Sequence, residues 1–310
     1  MAKKSKHKPT SLWHIKYWPI WFLMGILWLI TRLPYAMQLS IGRLIGRTIM
    51  RTSKKATAVT TTNIQLCFPH LNKQQQQQLI VNNFESLGMG IIETALGWWA
   101  PSHKIQHLGH GHHFEYLTDA LKEGRGALLI TAHFSSLYLV GRLVSHHFPC
   151  AVMYHAQTNP VLTKIIQGSI KKYFVDIIKR EDIRGMIRCL NKNIPIWYMP
   201  DVDPGIRNSV FAPFMGIPAA TVTATARFAQ ITNTPVIPCF FYRRDDGKGY
   251  EGTFLPPLEN YPSGDEYQDA LRINQLIDDA IRAHPEQYLW QYKRFKTRPP
   301  GEEKIYKKNA

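Results

Sequence analysis

The chain has 310 residues, 45% of them hydrophobic and 12% aromatic, enough to bury a sizeable core and too apolar to remain unfolded. Its net charge of +16 is unevenly spread: residues 1–84 carry 12 Lys and Arg and no acid, and the first carboxylate is Glu85. Cys67, Cys150, Cys189 and Cys239 lie far apart with no CxxC, which argues against a disulfide framework or a cysteine-held metal and suggests buried, reduced thiols. Charge polarised in this way predicts a polyanionic surface beside the N-terminus, either phospholipid headgroups or nucleic acid.

The first strong signal along the chain is YWPIWFLMGILWLI, residues 17–30, which is uncharged, holds Trp18, Trp21 and Trp28, and follows the basic MAKKSKHK. Extended to residues 12–33, with His14, Lys16 and Arg32 snorkelling at the ends, it predicts a membrane-anchoring helix that spans the bilayer or lies in its interface. A cleaved signal peptide and a buried core helix are weaker readings, since no small-x-small cleavage site follows and the tryptophans suit an interfacial belt. Basic residues flank both sides, so orientation is not fixed. Arg43, Arg47, Arg51, Lys54 and Lys55 read as a surface for anionic lipid. Nucleic acid is disfavoured, because the aromatics do not interleave with the charges. Residues 1–52 therefore read as a basic N-terminus with an anchoring helix, and 53–310 as a single catalytic domain.

A long helical pattern containing QQQQQ at 74–78 comes next. From about residue 104 the chain alternates. Strands are predicted at 127–130, 150–154, 174–178, 194–199, 236–242 and 250–254. Helices are predicted at 136–147, 163–173, 183–191, 221–232 and 266–284. Such alternation implies an α/β fold with a mostly parallel sheet flanked by helices.

Three stretches carry chemistry. In TAHFSSLYLVGR, residues 131–142, His133 leaves a strand end, where open α/β sheets place ligands, and a neutral imidazole there could take a proton from a hydroxyl. In PDVDPGIRNSVFAPFMG, residues 200–216, Asp201 and Asp203 enter a loop, followed by Arg207 and an apolar turn. On pattern alone two such carboxylates cap turns or bind a metal. The threonines at 221, 223 and 225 read as a helix N-terminus open to an anion. In QYLWQYKRFKTRPPG, residues 287–301, Lys293, Arg294, Lys296 and Arg298 surround Phe295, either as a solvated tail or as a cradle for phosphate and sugar-acid groups. HLGHGHHFEYL, residues 107–117, clusters four histidines without a matching carboxylate and reads as an exposed loop and strand edge.

Together NIQLCFP (63–69), IIET (91–94), TAHFSSL, REDIRGMIRCL (180–190), WYMPDVDPG, SVFAPFMG and PEQYLWQYKRFKTRP resemble, in order and over most of the chain, the bacterial lipid A biosynthesis (late) acyltransferase family of lauroyl/myristoyl type. The resemblance implies a glycerophosphate-acyltransferase-like fold and no cofactor or metal. It also implies transfer of a fatty acyl chain from acyl carrier protein to a hydroxyacyl chain of a lipid A precursor. The expected setting is the bacterial inner membrane, with one N-terminal anchor and the chemistry on the cytoplasmic side. His133 matches the family's catalytic histidine. Arg180, Asp201, Asp203, Arg207, Arg294, Lys296 and Arg298 are carried over as substrate-binding positions, and the turn at 211–217 as a receiver of acyl chains.

The family motif is His-x4-Asp/Glu, and here the acidic position is Tyr138. A phenol carries no charge at neutral pH, so native activity is expected to be impaired and Tyr138→Glu to raise it. Alternatively Asp201, Asp203 or Glu93 supplies the carboxylate, the chain is a non-catalytic lipid-binding paralogue, or Tyr138 is an introduced change. Acylation of another (lyso)lipid and metal chemistry at Asp201 and Asp203 are the remaining readings.

Overall fold

The computed structural model describes residues 12–154 and 157–306. Among the described residues a 3-10 turn at Ile15–Tyr17 leads into four α-helices: α1 (Trp18–Ile30), α2 (Tyr35–Thr52), α3 (Lys54–Cys67) and α4 (Lys73–Trp99). α5 (Ser102–Ile105), β1 (Gly109–His112), α6 (Glu115–Lys122), β2 (Leu128–Ile130), α7 (Leu137–His147), β3 (Ala151–Tyr154), α8 (Pro160–Tyr173), β4 (Asp176–Lys179), α9 (Ile183–Asn191) and β5 (Ile196–Tyr198) follow. β6 (Ser209–Phe214), β7 (Ile217–Val222), α10 (Ala224–Thr232), β8 (Val236–Arg243), β9 (Tyr250–Phe254) and α11 (Glu266–Ala283) complete the succession.

Seven strands form one sheet in the order β1-β9-β8-β2-β5-β3-β4, with every pair parallel except β8 with β9. The central strands are short apolar runs buried on both faces, as a helix-covered parallel sheet requires. Side chains alternate between two cores. Leu128, Ile130, Ile196 and Tyr198 pack with α9, α10 and α11, whereas Leu129, Val152 and Trp197 pack with α7, α8 and the second half of α4. All four cysteines are buried and unpaired.

The 27-residue α4 is started by a capping box between Asn72 and Gln75, which explains how a glutamine tract begins a stable helix. It crosses α2 at almost backbone contact. A Cβ on Gly46 would lie 1.9 Å from Phe84 O, and one on Gly88 2.0 Å from Gly42 O, so only glycine fits at the crossing.

Two expectations need correcting. α1 has 13 residues, about 20 Å of helix against roughly 30 Å of hydrocarbon. Among the described residues no helix is long and apolar enough to cross a membrane, so a transmembrane helix is not supported. The turn that interrupts it is closed by Gln38, whose amide donates to the carbonyls of Thr31 and Leu33. The stretch read as an apolar turn and then a helix from 221 is instead an antiparallel hairpin, β6–β7, packed on α11, where Asn274 donates to Pro213 O and Thr221 Oγ1. The helix begins only at Ala224, with Thr223 as its N-cap; Thr221 lies in β7, and Thr223 and Thr225 are buried, so this N-terminus is not open to an anion.

Candidate active site

The ladder between β2 and β5 continues one residue past β2, through the Thr131 N–H to the Tyr198 carbonyl. Both strands then leave the sheet side by side at their C-terminal ends. This brings together His133 and Asp201, 68 residues apart in sequence. His133 Nδ1 lies 2.7 Å from Asp201 Oδ1, and the His133 backbone N–H donates to Asp201 Oδ2 at 3.0 Å. The Asp201 side chain is 0% exposed and the ring of His133 18%. Burial alone would lower the imidazole pKa, but the charge and hydrogen bond of Asp201 outweigh it and hold the ring above the ordinary histidine value. Burial would likewise raise Asp201, yet the attraction of His133 and the backbone N–H bonds bring it below the usual carboxylate range.

A segment after α11 presses on this pair from outside. Ser135 N–H donates to Gln287 O, Leu289 N–H donates to His133 O, and Phe134 and Tyr288 form an isolated antiparallel bridge. The Tyr288 hydroxyl donates to Asp201 Oδ2 at 3.0 Å, and the Tyr292 ring stands edge-on to the imidazole at 5.3 Å. Two buried amides anchor this strap. Asn83 donates to the carbonyls of Glu286 and Tyr288, and Asn63 to those of Trp290 and Tyr292. Neither tyrosine, neither asparagine role nor the strap is predicted from sequence; the only trace is that Asn63 opens NIQLCFP and both tyrosines lie in QYLWQY.

Behind the loop, Glu93 and Arg243 form a buried bidentate pair at 2.5 and 2.7 Å. Arg243 also reaches Ser86 and Ser135, whose hydroxyls are 2.8 Å apart. Gly90 of α4 lies directly under Ser135, with 2.4 Å between a built Cβ and the Ser135 carbonyl.

His133 opens onto a cavity of about 320 Å³ lined by Leu87, Ile91, Leu137, Tyr138, Val152, Ile170, Phe174, Trp197, Met199 and Tyr292. It runs along one sheet face, Val152 standing beside Trp197 in the β3–β5 register. An apolar slot with an imidazole at one end suits a hydrocarbon chain whose reactive end lies at the base.

The structure distributes the sequence-predicted residues as follows. Tyr138 is in the first turn of α7 and makes no bond to His133; its ring stands edge-on to Trp98 in the cavity wall, and burial beside Tyr292 and Tyr154 pushes its phenol up to about 12. Asp201, expected either to contact substrate or to supply the carboxylate missing at 138, holds the histidine. Asp203 accepts from the N–H groups of Gly205 and Thr297 and so ties two loops together. Glu93 belongs to the arginine pair. Arg294 is buried, donates to Ala220 O and Thr221 Oγ1, and covers the Phe214 ring, so it is not presented to a phosphate. Arg298 is spent on Pro218 O and Glu302. Arg180, Arg207 and Lys296 are exposed. The hairpin at 211–217 is not part of the cavity lining. The histidine stretch forms the edge strand β1, where His112 pairs with Glu251, and among the described residues no group of three or more His, Cys, Asp or Glu could hold a metal ion.

The family model for bacterial lipid A biosynthesis acyltransferases matches residues 5–297. The lipid A biosynthesis lauroyltransferase of Escherichia coli (strain K12) is 35% identical over 293 residues, 94% of this chain and 96% of that protein. The palmitoleoyltransferase of the same organism is 32% identical, covering 94% and 96%, and its myristoyltransferase 25% identical, covering 96% and 93%.

Proposed function

Because the chain belongs to the bacterial lipid A biosynthesis acyltransferase family, and is therefore an acyltransferase of lipid A biosynthesis, we propose that it moves a fatty acyl group from acyl carrier protein to a hydroxyl on an acyl chain of a lipid A precursor, with His133 as the base. The observation that supports this most is the His133–Asp201 pair at the mouth of an apolar cavity. Asp201 accepts from Nδ1–H, which leaves Nε2 as the proton acceptor. The acceptor hydroxyl gives its proton to Nε2 as its oxygen attacks the thioester carbonyl. When the tetrahedral intermediate collapses, the imidazolium returns that proton to the departing thiolate. The buried carboxylate stabilises the imidazolium between these steps, so Tyr138 leaves the base with a charged partner and does not by itself impair the enzyme.

The donor chain occupies the cavity. Exposed Arg180, Arg207 and Lys296 receive the acceptor's phosphates and acidic sugars. The chain rests on the cytoplasmic face of the inner membrane. Trp13, Trp18, Phe22, Leu23, Trp28 and Leu29 are exposed on or beside α1, and Arg43, Arg51, Lys54 and Lys55 on the helices that follow. The Arg32 guanidinium lies over the Trp28 ring at 4.4 Å, an interfacial arrangement. The relatives are named for lauroyl, palmitoleoyl and myristoyl groups, so family membership leaves the chain length open.

Expression of the protein and of His133→Ala in a strain deficient in late acylation, followed by mass spectrometry of extracted lipid A, tests the reading. The parent should add one acyl chain and the variant none; equal acylation by both would refute His133 as the base.

A further inference from the structure

Resting on this reading of His133, we infer that Tyr288 is a positioning residue, the outer member of a Tyr288–Asp201–His133 relay that sets the pH at which the base becomes available. Asp201 places one oxygen on the imidazole and receives on the other the Tyr288 hydroxyl at 3.0 Å and the His133 backbone N–H at 3.0 Å. Tyr288 is 2% exposed, and burial next to Asp201 raises its pKa well above the ordinary tyrosine value. It therefore stays protonated at every working pH and has one way to act on the carboxylate, as a donor. A donor on the far oxygen disperses the carboxylate charge and weakens its hold on the imidazolium, so Tyr288 keeps the base from being trapped in its protonated form.

The surroundings are well defined. Asp201 is faced by His133 from the β2–α7 loop, by Tyr288 and Tyr292 from the strap, and at longer range by buried Arg294. Tyr288 meets in addition Cys67 at the end of α3, and Arg294 is neighboured by Asp203 and Asp278. Replacing the hydroxyl alone leaves all of these in place. The strap also aims the phenol without relying on that bond, since Asn83 holds the Tyr288 carbonyl and the ring packs edge-on to Trp290 at 4.8 Å.

The test is a pH–rate profile of the full chain in mixed micelles, with a lauroyl thioester of acyl carrier protein and a hydroxyacylated lipid A precursor. His133→Ala is run alongside; activity there would remove the base and this inference with it. With that control inactive, Tyr288→Phe should move the acid limb upward by about half a unit, roughly a threefold loss of rate on that limb, with a smaller change on the plateau. 3-Fluorotyrosine placed at position 288, a stronger donor of almost the same shape, should move the limb the opposite way and serves also if the phenylalanine variant does not fold. Opposite displacements support the relay. An acid limb unmoved by either change, with His133→Ala inactive, overturns it and leaves Tyr288 a packing residue.

Discussion

Two buried carboxylates at the C-terminal edge of the sheet have taken opposite paths. Glu93 and Asp201 are both fully enclosed, and both spend their two oxygens on a nitrogenous partner. Glu93 meets a guanidinium that never loses its proton, in fork-to-fork geometry with two serine hydroxyls closing the network. Asp201 meets an imidazole that retains 18% of its surface and faces a cavity. The first arrangement can only hold the backbone where it is. The second can exchange a proton with what enters the cavity. Burying a charge beside a fixed cation makes structure, and burying it beside a titratable ring with an open side makes a base.

Asp201→Asn should break this contrast most severely. Loss of the orienting charge lowers acyl transfer by about 10⁴, the scale seen when a triad aspartate is replaced, and drops the imidazole toward its ordinary pKa. Since Asp201 holds His133 above the usual range, the parent's rate should fall as pH drops through that raised value, and any residual activity of the variant should persist to lower pH. Glu93→Gln should act on folding instead. An arginine left buried without its partner costs about 3–5 kcal/mol, visible as a large fall in Tm or in urea midpoint, with activity per folded molecule reduced far less. The smallest effect belongs to Tyr138→Glu. Because Asp201 already occupies Nδ1, a carboxylate in the apolar wall beside Trp98 should give no gain in transfer and a modest loss; a clear rise would show that position 138 still serves the histidine.

The alternating α/β units are legible because the central strands are short apolar runs between helical patterns, and α9 and β9 match the expected bounds. The hairpin was not legible: Pro213 and Pro218 read as loop, yet they stand opposite each other in a two-stranded ribbon that tolerates missing donors. The exposed strand edge at 107–117 is legible, but the bounds of β1 are not, because GHGH contains no strand-forming residue and is held by its partner β9. At the site, His133 could be picked out from its place after an apolar strand. Its partner could not be chosen, since local spacing indicates 138, whereas the pairing arises from the adjacency of β2 and β5. The roles of Arg294 and Arg298 were misjudged for a related reason: a basic cluster in sequence does not reveal which guanidiniums turn inward to cap carbonyls.

The glycine crossing has a mechanical consequence. Gly88, which takes the backbone of α2, is two residues along α4 from Gly90, on which the Ser135 carbonyl rests. No side chain lies between those backbones to absorb a shift. α2, one of the helices proposed to rest on lipid, and the floor beneath the reacting imidazole thus behave as one stiff lever, so the proposed standoff of His133 from the bilayer would be set by backbone geometry.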